Sequence, residues 1–340
     1  MSHLRSPVVH HLGIEPMELL DFARTARGRK YADFAPPYDR PALALFQAHC
    51  EHVVESQGLD KLRVKGYAKD LDHHQDGFLV ETSEGPLKAR RVLLALGAGD
   101  HCHWPYWAKS LRDEGAPVWH LFQEDFDTES LETTGILGIV GLGISAAQLA
   151  NRTSAYKNAE VKVFSRHEVR VHQFDSEPCW LGPKCQSSFW AEKDYTRRRE
   201  MITEARHRGS MSADVAREYR ERLNGRRLQH FQDAIAGALY RPESGQIELY
   251  TSSGRAHVVD RLVLATGFEC PSPGKTWLAK AMQRLDLRCS SCGYPILDAT
   301  LQWTSGLHVS GPLAELELGP AARNIAGARM TARRLGRLSP

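Results

Sequence analysis

Hydrophobic and polar positions follow the same course in two separate stretches of the chain. Phe78-Leu79-Val80-Glu81-Thr82-Ser83-Glu84-Gly85 is followed by Arg90-Arg91-Val92-Leu93-Leu94-Ala95-Leu96-Gly97. Ile247-Glu248-Leu249-Tyr250-Thr251-Ser252-Ser253-Gly254 is followed by Asp260-Arg261-Leu262-Val263-Leu264-Ala265-Thr266-Gly267. Each copy predicts an alternating strand, a glycine turn, a second strand, and an apolar strand that closes on glycine. The alternating part fits a half-buried antiparallel meander. The apolar close fits a strand covered on both faces, as in a parallel sheet. The copies are too far apart for a solenoid, so they predict two related domains. Leu43 to Val54 predicts a helix, and Arg197 to Arg222 a charged helical stretch on the surface.

Between the copies lies Ile136-Leu137-Gly138-Ile139-Val140-Gly141-Leu142-Gly143-Ile144-Ser145-Ala146-Ala147, an apolar strand running through a glycine turn into an alanine-rich helix. Val161-Lys162-Val163-Phe164 reads as the next strand. This is the strand–helix–strand setting in which G-x-G-x-x-A binds a dinucleotide. Gly141 permits the tight turn, Gly143 lets a pyrophosphate approach the backbone, and Ala146 lets helix and strand pack closely. The amides of the first helical turn, Ser145 among them, face the phosphates with the helix dipole behind them. The competing reading is that the glycines serve helix packing alone. At the end of the second strand, Ser165-Arg166-His167 carries no acid for a ribose 2′-hydroxyl. A guanidinium suits a 2′-phosphate, so Arg166 favours NADP over NAD. The alternative is that Arg166 is a solvated strand end.

Composition narrows the function classes. The chain has 340 residues, 42% hydrophobic and 25% charged, and a formal charge of +3. These values exclude wholesale disorder and a disulfide miniprotein, and the charge balance speaks against a dedicated nucleic-acid binder. The basic run Arg197-Arg198-Arg199 is expected on a solvated helix face. The longest apolar run, Ile136 to Ala150, is too short to cross a bilayer, so no membrane partner is expected. Seven cysteines without a signal peptide predict free thiols in a reducing, cytoplasmic setting. Cys289-Ser290-Ser291-Cys292 has the spacing of a redox pair, or is two incidental thiols on a loop. No second pair completes a zinc site, so no metal is expected.

With these segments in place, the chain resembles flavoproteins with two dinucleotide-binding domains, in the branch of flavin-containing and N-hydroxylating monooxygenases. Ala95-Leu96-Gly97 and Ala265-Thr266-Gly267 match the turns that link the FAD and NADPH domains of that family, the first imperfectly. Leu307-His308-Val309-Ser310-Gly311-Pro312 resembles its late strand ending beside the flavin, and Gly319-Pro320-Ala321-Ala322 the start of its final helix. The resemblance implies an α/β fold of two Rossmann-like domains with parallel sheets and small antiparallel meanders, and FAD and NADP as cofactors. It implies cofactor contacts from Gly97, Gly267, Gly311, Pro312, Gly319, Pro320 and Ala321, the helix beginning at Pro320 aiming its amides at the flavin. Pro117-Val118-Trp119-His120 resembles a family segment before the NADPH strand, but its glycine spacing departs from the monooxygenase fingerprint. Gln173 to Pro178, with Phe189-Trp190, resembles an insertion of the N-hydroxylating group, onto which no substrate role is carried.

One departure stands out. No G-x-G-x-x-G occurs in residues 1–100, where the family places its FAD pyrophosphate loop. Residues 1–112 are therefore expected to form an N-terminally incomplete FAD-binding domain, 113–268 the NAD(P)H-binding domain, and 269–340 the rest of the FAD domain. A missing N-terminal segment or a partner chain would supply the loop, or ordinary FAD binding has been lost. A parallel sheet without its first strand is expected to expose an apolar face and an unpaired edge, leaving the polypeptide alone poorly soluble or binding FAD weakly. The implied activity is hydride transfer from NADPH to FAD, with a small-molecule substrate or electron acceptor, as a monooxygenase acting on an amine or as a reductase. No catalytic side chain is singled out, because the cofactors carry the hard chemistry. The rivals are a nicotinamide-only dehydrogenase and a non-catalytic dinucleotide-binding protein.

Overall fold

The computed structural model describes residues 2–99, 101–131, 135–269 and 273–336. The chain divides into two units. The first is formed by Met1–Ala98, Ser176–Arg206 and Pro271–Pro340, the second by Gly99–Asp175 and His207–Cys270.

The second unit is built on five strands in the order Leu228–Gln232, Glu160–Ser165, Ile136–Val140, Arg261–Leu264, Val118–His120, every neighbouring pair parallel. Their short β-branched and leucine-rich runs are covered on both faces, as a parallel sheet requires. Leu137, Ile139, Val161, Val163 and Val263 pack against the helices Ile144–Thr153 and Ala213–Leu223. Phe164, Leu262 and Leu264 point the other way, toward the helix Tyr106–Asp113 and residues of the meander Ile235–Arg241, Gln246–Thr251 and Ala256–Val259. The strands Gln246–Thr251 and Ala256–Val259 and the closing strand are those read from the second sequence copy, and Ile235–Arg241 adds a strand before them.

The first unit repeats part of this plan. An antiparallel meander, Ala68–His74, Gly77–Thr82 and Gly85–Ala89, precedes the strand Val92–Leu94. That strand pairs in parallel with Leu307–Val309, which in turn pairs antiparallel with Gln302–Thr304. Val92–Leu94 is thus an edge strand, and its Leu93 is 47% exposed. The helix Lys275–Arg284 closes the core through Leu278 and Ala281, which pack with Leu71, Phe78 and Leu307. Arg284 fastens the helix to the meander by pairing with Asp70 at 2.7 Å and Asp72 at 2.8 Å. A separate cluster joins the helices Glu18–Arg24 and Leu43–Ser56 through Leu19, Phe22, Leu45 and Ala48.

Four expectations differ from what is observed. Ser176–Arg206 lies within the range expected for the nicotinamide domain, yet it clusters with the first unit. Its basic run is solvated only at Arg197: Arg198 is 6% exposed and donates to the Leu316 carbonyl at 2.9 Å and to Glu317 at 3.0 Å. The expected stretch from Arg197 to Arg222 is broken, with helices at Tyr195–Ala205 and Ala213–Leu223 separated by the short strand Ser210–Met211. The cysteines are not all free. Cys179 and Cys185 form a disulfide because the turn Pro178–Leu181 brings their Cα atoms to 5.3 Å, within bridging range. The inference of a reducing compartment from free thiols therefore loses its ground. Among the described residues, no helix is long and apolar enough to cross a membrane.

A candidate dinucleotide-binding site

Cross-strand register aligns the ends of four strands in the second unit. Val140 pairs with Leu264 and Phe164, and Leu264 pairs with His120. The connections after these residues therefore leave from one edge of the sheet, its carboxyl edge. From Val140 the chain passes through the helix Ile144–Thr153 to the strand Glu160–Ser165 on one side, while Arg261–Leu264 lies on the other. Neighbouring strands whose connections diverge open a crevice at this edge, where open α/β sheets bind their ligands.

The glycine turn sits at that crevice, and its two glycines have different tasks. Gly141 has φ +122°, and a Cβ there would lie 2.4 Å from the Ala265 carbonyl oxygen. A side chain is thus forbidden by the close passage of the neighbouring strand end. Gly143 has an extended backbone (φ −82°, ψ −179°) and forms the N-cap of the helix. A Cβ at Gly143 would meet only Gly209, whose Cα is 3.7 Å away in ordinary contact. No side chain fills the bend. The first intrahelical bond here runs from the Ala147 N–H to the Gly143 carbonyl at 3.0 Å, so the amides of Ile144, Ser145 and Ala146 precede the helical ladder. Ala146 is fully buried against the sheet, as close helix–strand packing demands.

Around this turn the other predicted residues take distinct places. Arg166 is exposed immediately after the strand Glu160–Ser165, on the crevice edge. Gly267 has φ +78° with open space where a Cβ would stand, and its carbonyl accepts from the His103 N–H at 2.9 Å. His120, at the end of its strand, is fully buried between Trp104, Phe122 and Phe268, with ring centroids 6.0–6.3 Å away. Its Nδ1 accepts from the Phe122 N–H at 3.2 Å, so the proton of the neutral ring resides on Nε2. Burial holds this imidazole below the usual histidine range, with the nearby His103 in the same direction and the Gly267 carbonyl opposing.

The first unit presents a different picture. Gly97 is exposed just beyond the strand Val92–Leu94, and Gly311, with φ +64°, follows Leu307–Val309, so both lie at one strand edge. A Cβ on Gly311 would stand 3.7 Å from the Leu96 carbonyl oxygen. Pro312, Gly319, Pro320 and Ala321 are buried by protein. A Cβ on Gly319 would stand 3.5 Å from the Trp180 ring and 3.7 Å from the Phe189 ring. The expected helix from Pro320 is only a 3-10 turn, Pro320–Arg323; the α-helix begins at Ile325, where the Asn324 side chain accepts from the Gly327 N–H at 3.2 Å. Among the described residues this unit holds no strand–glycine-loop–helix. It fits a flavin in part, offering two open strand ends without pyrophosphate donors.

A buried charge cluster lies in the same unit. Glu315 is fully buried, and its carboxylate accepts from Arg199 at 2.9 Å, Arg206 at 2.8 Å, and Arg323 at 2.8 and 2.9 Å. Burial alone would raise its pKa; Arg323, Arg206 and Arg199 outweigh that and hold it below the usual carboxylate range. Two glutamates within the otherwise apolar run Gly311 to Ala322 were the sequence signal for this cluster, since buried carboxylates need cationic partners.

The sequence matches no protein-family model and no curated protein. Solved structures do match. The FAD-bound DfoA, the cadaverine monooxygenase of desferrioxamine biosynthesis from Erwinia amylovora, superposes with a TM-score of 0.74 at 13% identity, over 99% of this chain and 83% of that one. The ornithine hydroxylase PvdA from Pseudomonas aeruginosa gives a TM-score of 0.72 at 16% identity, over 100% and 88%. L-lysine 6-monooxygenase from Pseudomonas syringae gives 0.64 at 19%, over 88% and 76%. At these identities the likeness is one of fold. The chain has the two-domain, Rossmann-type α/β fold of these flavoproteins.

Proposed function

We propose that the chain is a flavin-dependent NADPH oxidoreductase whose second unit binds the nicotinamide dinucleotide. One observation carries the reading: a side-chain-free turn at Gly141 to Gly143 stands at the carboxyl edge of a five-stranded parallel sheet, at the point where the connections diverge. The helix-start amides of residues 144–146 bind the pyrophosphate, aided by the dipole of Ile144–Thr153. Arg166 meets the 2′-phosphate, and the Gly267 turn, held by the His103 N–H, closes the neighbouring strand. Bound NADPH and FAD would supply hydride transfer and oxygen activation, toward hydroxylation of a small amine such as those named for the solved neighbours.

Titration of the purified chain with NADPH and NADH tests the site. Arg166→Ala should weaken NADPH about tenfold and leave NADH nearly unchanged, the size expected for one charge-assisted hydrogen bond. Equal weakening of both would remove the NADP assignment. A second reading, a dinucleotide-binding protein without flavin chemistry, is favoured by the first unit, in which the described residues hold no strand–glycine-loop–helix. Stopped-flow mixing with NADPH and added FAD separates the two: bleaching of the flavin band supports the oxidoreductase, and NADPH binding without bleaching supports the second reading.

A further inference from the structure

The Cys289-Ser290-Ser291-Cys292 segment forms a tight turn on the first unit. The Gly293 N–H donates to the Ser290 carbonyl at 2.8 Å, the Ser290 N–H donates to the Tyr294 carbonyl at 2.9 Å, and Cys289 bridges to Pro295. Cys292 is exposed at the turn, with its Sγ 3.0 Å from the Ser290 hydroxyl. Cys289, on the inner side, packs against the hydrophobic core and donates its thiol to the Leu287 carbonyl at 3.5 Å. Beneath the turn lies Arg199, whose guanidinium stacks 4.0 Å above the Tyr294 ring while one arm holds Glu315. Three guanidinia, those of Arg199, Arg206 and Arg323, surround that single carboxylate. Arg199 brings a positive charge beneath the turn, and positive charge favours a thiolate over a thiol.

We propose that Cys292 is a nucleophilic thiol and that it forms, with Cys289, a dithiol site oxidised by hydrogen peroxide. The electrostatics agree. Burial would raise the Cys292 pKa, but the Ser290 hydroxyl, Arg199 and the Tyr294 backbone bring it below the ordinary thiol value. Cys289 is shifted the other way, by burial and by the charge of Cys292. Cys50 and Cys102 are both raised by burial. One thiol of the turn is thus prepared to attack and the other to resolve. The Cys292 thiolate attacks one peroxide oxygen: an S–O bond forms, the O–O bond breaks, and hydroxide leaves and is protonated to water. The Cys289 thiol then loses its proton and attacks the Cys292 sulfur. An S–S bond forms, the S–O bond breaks, and a second water leaves. Two thiols and one peroxide give one disulfide and two waters, with the sulfurs oxidised and the peroxide reduced.

The test is alkylation by iodoacetamide of the reduced full chain from pH 5 to 9, read by peptide mass spectrometry. The midpoint of each profile reports thiolate formation, whereas access alters only the plateau. The expected midpoint of Cys292 lies below the ordinary thiol value of about 8.5 and below those of Cys50, Cys102 and Cys289. Ser290→Ala should move it upward, and Arg199→Gln should move it further than Arg199→Lys, which keeps the charge. A Cys292 midpoint at or above those of the other three overturns the nucleophile. Hydrogen peroxide should then render Cys289 and Cys292 jointly resistant to alkylation, with loss of two hydrogens from their shared peptide, reversed by dithiothreitol. In Cys289→Ser the same treatment should leave a sulfenic acid on Cys292 that dimedone traps. Peroxide treatment that oxidises Cys292 without joining it to Cys289 overturns the dithiol.

Discussion

At the scale of single residues, two glycines in one turn separate folding from binding. Gly141→Ala places a methyl group against the Ala265 carbonyl and at a positive φ, so the variant should lose stability by about 2–3 kcal/mol or more, seen as a lower urea midpoint. Gly143→Val adds its branches to a space bordered by Gly209 alone. It should melt close to the parent protein and yet raise the NADPH dissociation constant at least about tenfold, because the pyrophosphate must approach that backbone. Unchanged affinity in Gly143→Val would show that the turn serves helix packing. Glu315 presents the opposite case, a residue that belongs to no motif and is marked only by its place in an apolar run. Glu315→Gln leaves Arg199, Arg206 and Arg323 around a neutral amide, and should cost about 3–5 kcal/mol at pH 7 by equilibrium unfolding, the loss typical of a broken buried pair.

At the scale of elements, the segment Ser176–Arg206 acts as a clamp on the chain around residues 311–320. Arg198 and Arg206 reach the carbonyls of Leu316 and Pro320, both at 2.9 Å, and Trp190 donates to the Glu317 carbonyl at 3.1 Å. Trp180 and Phe189 pack with Leu316 beneath it. The clamp is closed on itself by the Cys179–Cys185 disulfide, whose sequence separation is 6. Reduction of that bond should lower stability by about 2 kcal/mol on chain-entropy grounds, which differential scanning calorimetry with and without reductant would measure. The final helix depends on its own cap. Asn324→Ala removes the acceptor of the Gly327 N–H and should cost about 1 kcal/mol, read from chemical denaturation.

At the scale of the molecule, acid should unfold the protein in two stages. His11, His49, His120 and His230 are held below the usual histidine value first of all by burial. In the unfolded chain they protonate from about pH 6.5 downward, so the stability they contribute is full above that pH and falls below it. Glu315 and Asp70 are held below the carboxylate range, Glu315 by arginines that outweigh its burial and Asp70 chiefly by Arg284. Their contribution is full above the unfolded values near pH 4 and is lost as pH falls through the depressed folded values. Melting temperatures from pH 8 to 3 should fall gently at first and steeply below about pH 4, and Glu315→Gln should soften the second stage. A single transition centred near pH 6 would contradict the carboxylate contribution.

Local pattern by itself determined the meanders, the closing strands at Val92–Leu94 and Arg261–Leu264, and the strand–turn–helix around Gly141 to Ala146. These are written in spacing of two residues, in a glycine at 141 that no side chain can replace, and in the alanine that a close contact requires. Tertiary structure decided the rest. The helix seen in Pro320 onward was divided because Pro320 and Ala321 are buried and Asn324 offers a cap four residues later. The arginine run near residue 198 turned inward because Glu315 and Glu317, more than a hundred positions away, needed cations. Cys179 met Cys185, and Cys292 met the Ser290 hydroxyl, through turns that fix distance in space. Sequence spacing constrains neighbours along the chain; a buried charge takes whichever partner the fold delivers, and that choice is made only when the chain has closed on itself.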